Sequence, residues 1–165
     1  MSVPKSVTRI NKDGVKFVSH VDKVQYTIEE LSRAGFRDVA KLLRRKLKSK
    51  DKSTGTPAPY QFGTLHSNIG TWVRRGGEGK PFLQVGVYDK ERARKKNIEH
   101  AFYAIWQELG TENMDAANQN RGFLRATVMD SVDDIRIIQG QYLSAINDEN
   151  EALGLIDEEE ELEDD

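Results

Sequence analysis

The sequence predicts an α+β domain: a small antiparallel sheet built on a hairpin, with a long N-terminal helix and two further helices packed against it. Three observations carry this. Apolar residues recur at helical spacing over Ile28–Leu47. Two alternating runs then flank a glycine-rich turn. Helical spacing returns over two later stretches, so one hairpin lies among helices and no βαβ alternation arises.

Residues 1–13 read as an arm, and Gly14–Val21 as a short strand or extended lead-in with Val15 and Phe17 alternating. Thr27 followed by Glu30 has the spacing of a capping box, which places a helix over about Ile28–Lys48. Its apolar face is Ile28, Leu31, Phe36, Val39, Leu42, Leu43 and Leu47, and Gly35 weakens it slightly. Ser49–Tyr60, with Gly55, Pro57 and Pro59, breaks the helix. Thr71–Arg75 and Pro81–Tyr88 around Gly76-Gly77-Glu78-Gly79-Lys80 form the hairpin. A helix is expected over Asn97–Leu109, with Ile98, Phe102, Ile105 and Leu109 inward and Gly110 as C-cap. The last helix is expected over Gly122 to about Asn147, burying Leu124, Val128, Val132, Ile135, Ile138, Tyr142 and Ile146.

Charge divides the chain. Residues 1–147 hold all 25 Lys and Arg against 16 acids, a body of +9, while the last 18 residues carry −11. The expected organisation is one domain over 1–147 and an acidic, disordered tail over 148–165, too poor in apolar residues to join a core. Such a tail solvates, masks the basic body, or docks on a basic neighbour. There is no cysteine, hence no disulfide or thiolate site. The absence of a signal-like N-terminus and of a long apolar run points to cytoplasmic synthesis and no membrane contact.

The sequence shows no enzymatic constellation. His20, His66 and His100 lie in separate elements without ligand spacing. Gly76–Lys80 departs from a phosphate loop because Pro81 follows Lys80 where Ser or Thr would bind a metal. No catalytic residue, cofactor or metal is therefore expected. Basic clusters are more prominent. The first helix and its exit carry Arg33, Arg37, Lys41, Arg44, Arg45, Lys46, Lys48, Lys50 and Lys52, and a second cluster holds Lys90, Arg92, Arg94, Lys95 and Lys96. Such surfaces attract phosphate backbones through counterion release. The same charges serve as solvated helix residues or complement an acidic partner.

Three blocks in order carry a resemblance. Gly63-Thr64-Leu65-His66-Ser67-Asn68-Ile69 resembles the threonine-glycine-x-leucine…serine-x-isoleucine block of the tail-completion, head–tail joining proteins of long-tailed bacteriophages. Tyr103-Ala104-Ile105-Trp106-Gln107-Glu108-Leu109-Gly110-Thr111 looks like that family's aromatic-alanine…glutamate-apolar-glycine-threonine signature. Arg121-Gly122-Phe123-Leu124-Arg125-Ala126 is similar to its proline-phenylalanine-leucine-arginine-proline-alanine start of the last helix, with Gly122 where proline is usual. Between them, Phe82–Val87 matches a strand ending in an apolar-glycine pair that includes Gly86.

The resemblance implies a structural virion protein of the neck, made in the host cytoplasm. It implies a homo-oligomeric ring, six-fold in this family, between a tail-terminator or tail-tube protein and a head-connector protein, with DNA passing through the lumen. The alternative is a non-specific DNA-binding module using Arg33–Lys52. Arg37, Lys41, Arg44, Arg45, Lys48, Arg94, Lys95 and Lys96 are the candidates for an interface or DNA-facing surface under either reading.

Within these blocks Phe123 and Leu124 read as core anchors, while Trp72 and Trp106 fit core or interface. Glu108 stands near a helix C-terminus, where the helix dipole disfavours a carboxylate. It therefore needs a cationic or hydrogen-bonding partner: Arg121, Arg125, or an arginine of a neighbouring subunit.

Overall fold

The computed structural model describes residues 8–12, 15–19, 21–49, 63–75, 80–110, 122–148 and 151–156. The fold is α+β as expected, with two antiparallel hairpins. In the first, β1 (Thr8–Lys12) pairs with β2 (Val15–Ser19), Ile10 opposite Phe17. Part of the expected N-terminal arm is thus a strand, its backbone hydrogen bonds satisfied by the extended run that follows. In the second, β3 (Ile69–Arg75) pairs with β4 (Pro81–Val87), Gly70 opposite Gly86. The glycine-rich turn at 76–79 and the breaker residues 50–62 lie outside the described residues.

Helix α1 spans Val21–Leu47 and starts about two turns before the expected capping box. Nothing in Val21–Tyr26 breaks a helix. Val21 N–H donates to Ser19 Oγ at 3.4 Å, and Glu30 pairs with Arg33 at 2.6 Å. Ile28, expected inside, is exposed, while Leu31, Val39, Leu43 and Leu47 are buried as expected.

The helix expected over Asn97–Leu109 is present only as its last six residues, and a short helix that was not expected precedes it. Asp89 caps α3 (Lys90–Lys95) by accepting the Arg92 N–H at 2.8 Å. The helix closes in a Schellman motif: Asn97 adopts φ +52°, Ile98 N–H donates to the Ala93 carbonyl, and Asn97 N–H donates to that of Arg94. Asn97 takes the left-handed position that glycine usually fills, so the chain leaves helix where the expected helix was to begin. Helix α4 then covers only Ala104–Leu109.

The last expected helix also divides, into α5 (Phe123–Asp130) and α6 (Val132–Ser144), continued by a 3-10 turn at Ala145–Asn147. The division falls at buried Ser131, whose hydroxyl donates to the Thr127 carbonyl at 2.6 Å. Thr127 in turn donates to the Phe123 carbonyl at 2.8 Å. Back-bonding hydroxyls one turn apart compete with the helical ladder and bend it. The buried stripe is accordingly Phe123, Thr127, Ser131, Tyr142 and Ala145, while Ile146 is exposed.

Two cores hang on α1. Towards its N-terminal half, Leu31 and Ala34 pack with Tyr142, Ala145, Ala152 and Ile156. Gly35 permits this approach, since a Cβ there would stand 3.2 Å from Tyr142 Cγ. The Tyr142 hydroxyl donates to Asp38 at 2.6 Å. Ala152 and Ile156 belong to a short helix over 151–156 (α7), so the first turns of the expected disordered tail join the core. Asp148 starts that helix by accepting the Glu151 N–H at 3.2 Å. Ala152, Leu155 and Ile156 supply the apolar face that net charge had obscured. Residues 157–165 lie outside the described residues.

The second core sits under the other end of α1. Leu47 packs with Leu65 of α2 (Thr64–Asn68), Ile69, Ala101, Ala104 and Phe123, with Val85, Val87, Tyr103 and Leu124 at its edge.

Candidate functional site

The second core gathers the three sequence blocks. Leu65, Ile69 and Phe123 are wholly or nearly buried in it, with Tyr103 and Leu124 packed against them. Gly63 precedes α2, and Gly86 faces Gly70 across the hairpin. Asn68, which no sequence argument singled out, is fully buried. Its amide nitrogen donates to the carbonyls of Thr64 at 2.7 Å and Glu99 at 2.6 Å, tying α2 to the segment before α4.

At the α4–α5 junction, Gly110 closes α4 with φ +82° and an N–H donated to the Trp106 carbonyl at 2.8 Å. Thr111 lies outside the described residues. The chain returns at Gly122, whose N–H donates to the Gln107 carbonyl at 3.0 Å. Gly122 is left-handed (φ +72°), a conformation proline cannot adopt, and it has no side chain with which to cap α5. Glu108 supplies the cap. Its Oε2 accepts the Leu124 N–H at 2.9 Å and its Oε1 the Arg125 N–H at 3.0 Å.

Within the chain, Glu108 thus finds the hydrogen-bonding partner it was expected to need at the positive end of the next helix. A carboxylate misplaced for its own helix is well placed for α5. This links the glutamate of one sequence block to the Phe-Leu of the next, for Phe123 enters the core only if α5 starts where Glu108 holds it.

The apolar face of α4 is reversed from the expectation. Small Ala101 (2% exposed) and Ala104 (6%) face the core, while Phe102 (63%), Ile105 (58%), Trp106 (49%) and Leu109 (64%) face solvent. This segment is apolar on both sides, so periodicity alone does not select the inner one. The alanines let α4 lie close to Phe123. The large residues form a band in which Phe102 stacks edge-on to Trp106, ring centroids 5.6 Å apart at 90°. Exposed Met129 of α5 shares a cavity with Leu109, Glu108 and Arg125 and extends the band.

The basic candidates separate. Arg44 and Arg45 are exposed on α1, and Arg94, Lys95 and Lys96 are exposed at α3. Lys48 joins the two groups. Burial, then the charges of Arg44 and Lys96, lower its pKa below the ordinary lysine value. Clusters about fifty residues apart in sequence therefore adjoin. Not every cation is turned outward: Arg92 stacks over Trp72 at 4.7 Å, and Lys96 Nζ lies 5.4 Å from the Tyr88 ring. Arg37 is buried (9% exposed), in a groove between α1 and β3 that Lys41 also lines, so it does not belong to an open surface as expected.

Lys48 yields a prediction. Its protonated form is disfavoured by the fold, so its contribution reduces stability at neutral pH and fades as pH rises from its depressed pKa towards the unfolded value. Lys48→Gln is expected to raise Tm slightly at pH 7, with the gain vanishing above about pH 10.5, the ordinary lysine value. Thermal unfolding across pH checks the sign, and a loss of stability at pH 7 would contradict it.

Among the described residues no group of His, Asp and Glu is placed to hold a metal ion, and no helix is long and apolar enough to cross a membrane. Compared with protein families, curated proteins and solved structures, the chain finds no match.

Proposed function

We propose that this chain is a non-enzymatic ring subunit of the neck of a long-tailed bacteriophage, completing the tail and joining it to the head connector. The observation that supports this reading is the band Phe102, Ile105, Trp106 and Leu109, turned to solvent from the helix that bears the signature block. A contiguous band of large apolar side chains on a soluble body marks an interaction surface, and Trp and Phe are enriched in such contacts. Its occupant is a second copy of the chain. The Glu108 cap and the buried alanines fix the band rigidly, as a closing ring requires, and head-to-tail contacts place it against a different surface of the next subunit. The head connector and the tail's last ring meet the two faces of that ring.

Electron microscopy of particles from a phage lacking this gene tests the reading. Filled heads and complete but separate tails are expected, and normal virions would overturn it. The adjacency of Arg44, Lys48 and Lys96 favours one other reading, a non-specific DNA-binding module. If charge reversal at Arg44 and Arg45 abolishes retention on DNA while head–tail joining persists, that second reading prevails.

A further inference from the structure

A groove of about 270 Å³ opens between α1 and α6, with buried Leu31 and Tyr142 at its floor and Phe36, Leu143 and Ile146 along its sides. No charged side chain lines it. Its rim is apolar as well: Leu143 and Ile146 are exposed, and so is Ile28, one turn before the groove residue Ser32. The groove and the α4 band lie at opposite ends of α1. Leu31 lines the groove, whereas Leu47 shares a cluster with Ala101 and Ala104 beneath the band. Along the helix axis residues 31 and 47 stand ~24 Å apart.

We infer that the band of one copy seats in this groove of the next, with Trp106 filling it. The inference rests on the reading of the chain as a ring subunit and assigns the surface that receives the band. The shapes agree. Band against band would set two convex surfaces together, while the groove is concave, and since a dry apolar cavity of about 150 Å³ holds a benzene ring, this one has room for an indole. Polarity agrees too. Phe102, Ile105, Trp106 and Leu109 carry no charge, and neither does the lining they meet. The Trp106 indole N–H has no acceptor among the described residues, and the amide oxygen of Gln139, a groove residue, has no donor among them. A buried indole N–H needs such an acceptor. The area suffices. At 150–250 Å² for a buried aromatic, half-exposed Phe102 and Trp106 with Ile105, Leu109 and Met129 take roughly 500 Å² of the band out of water. The groove and its rim lose a similar area, so the total reaches the ~1,000 Å² that a specific contact must clear. A copy engaged at both ends makes this contact twice, and contacts between unlike surfaces close into a ring when the rotation permits.

Leu143→Glu combined with Ile146→Glu places acids on two exposed sides of the groove, and Tm on the same samples checks the fold. By sedimentation velocity this variant should associate at least about a hundredfold more weakly than wild type. Mixed with Ile105→Asp/Leu109→Asp chains, which keep the groove, it should form one-to-one dimers that grow no further, because one intact band meets one intact groove. A groove variant that assembles like wild type would overturn the docking. So would a folded mixture that stays monomeric while wild type assembles. Either result leaves the neck reading to the microscopy of phage lacking the gene. Wild-type chains that stay monomeric at every concentration would remove the ring and the docking together.

A second measurement does not depend on the glutamate variant. The chain has no cysteine, so Leu109→Cys and Leu143→Cys chains can be mixed and treated with a short bis-maleimide. Links between them are expected at several times the yield of links from Leu109→Cys to Ile137→Cys, a position exposed on α6 outside the groove. Equal yields would refute the docking, and Leu109→Cys linked chiefly to its own kind would refute it by placing band against band.

Discussion

Replacing Glu108 with alanine lowers the unfolding free energy by about 2 kcal/mol and Tm by roughly 4–8 °C, because it removes both the cap and the charge from the start of α5. The estimate combines ~1 kcal/mol for a lost N-cap with up to ~1 kcal/mol for a carboxylate at a helix N-terminus. Part of it is recovered elsewhere, since α4 is relieved of an acid at its own C-terminal end. Glu108→Gln keeps an acceptor oxygen for one of the two amides and should fall about midway. Added salt should narrow the gap between wild type and Glu108→Gln, since the charge is partly exposed. Calorimetry of the three proteins decides: an alanine variant within 0.5 kcal/mol of wild type would mean that the two hydrogen bonds contribute nothing net. Ring formation should fail in the alanine variant at temperatures where the fold survives, because the apolar band is carried on the helix that the same contact positions.

The second large effect falls on assembly. Ile105→Asp combined with Leu109→Asp alters two side chains that are 58% and 64% exposed in the isolated chain, so Tm should change little, by the ~0.5 kcal/mol typical of surface substitutions. Association between copies should weaken by at least about a hundredfold, since two apolar anchors at the centre of a contact are each worth ~2 kcal/mol or more. Sedimentation velocity over a range of concentrations, with Tm on the same samples, separates the outcomes. A variant that assembles like wild type removes the band from the interface. One that unfolds would show that these residues are core after all.

How much of this was legible in the residues depends on whether the signal was local. The hairpin was readable because alternation and a glycine-rich turn are local patterns. Leu31, Val39, Leu43 and Leu47 were readable because α1 presents one apolar face over many turns. Helix α4 was misread because six residues hold less than two turns and are apolar on both sides, so tertiary packing chose the alanine face. The end of α3 at Asn97 and the break at Ser131 rest on an asparagine acting as a glycine and on hydroxyls bonding back to the helix, neither of which hydrophobic periodicity registers. Net charge hid the apolar face of residues 151–156, whose partners Leu31 and Tyr142 lie far away in sequence. Glu108 is the instructive case. Its misfit with the α4 dipole signals a partner, but backbone amides do not show in a list of side chains, so the sequence alone points to arginines.

The same junction bears on how the chain tolerates change. Gly110 and Gly122 are held by bonds to Trp106 and Gln107, neighbours on one helix, so residues 111–121 span two points pinned close together. Lengthening a segment so anchored adds only ~0.6 kcal/mol of closure entropy for each doubling. The register of α4 and α5 is therefore set at Gly110 and Gly122 themselves, by two backbone bonds to adjacent residues of one helix, and does not depend on the number of residues between them.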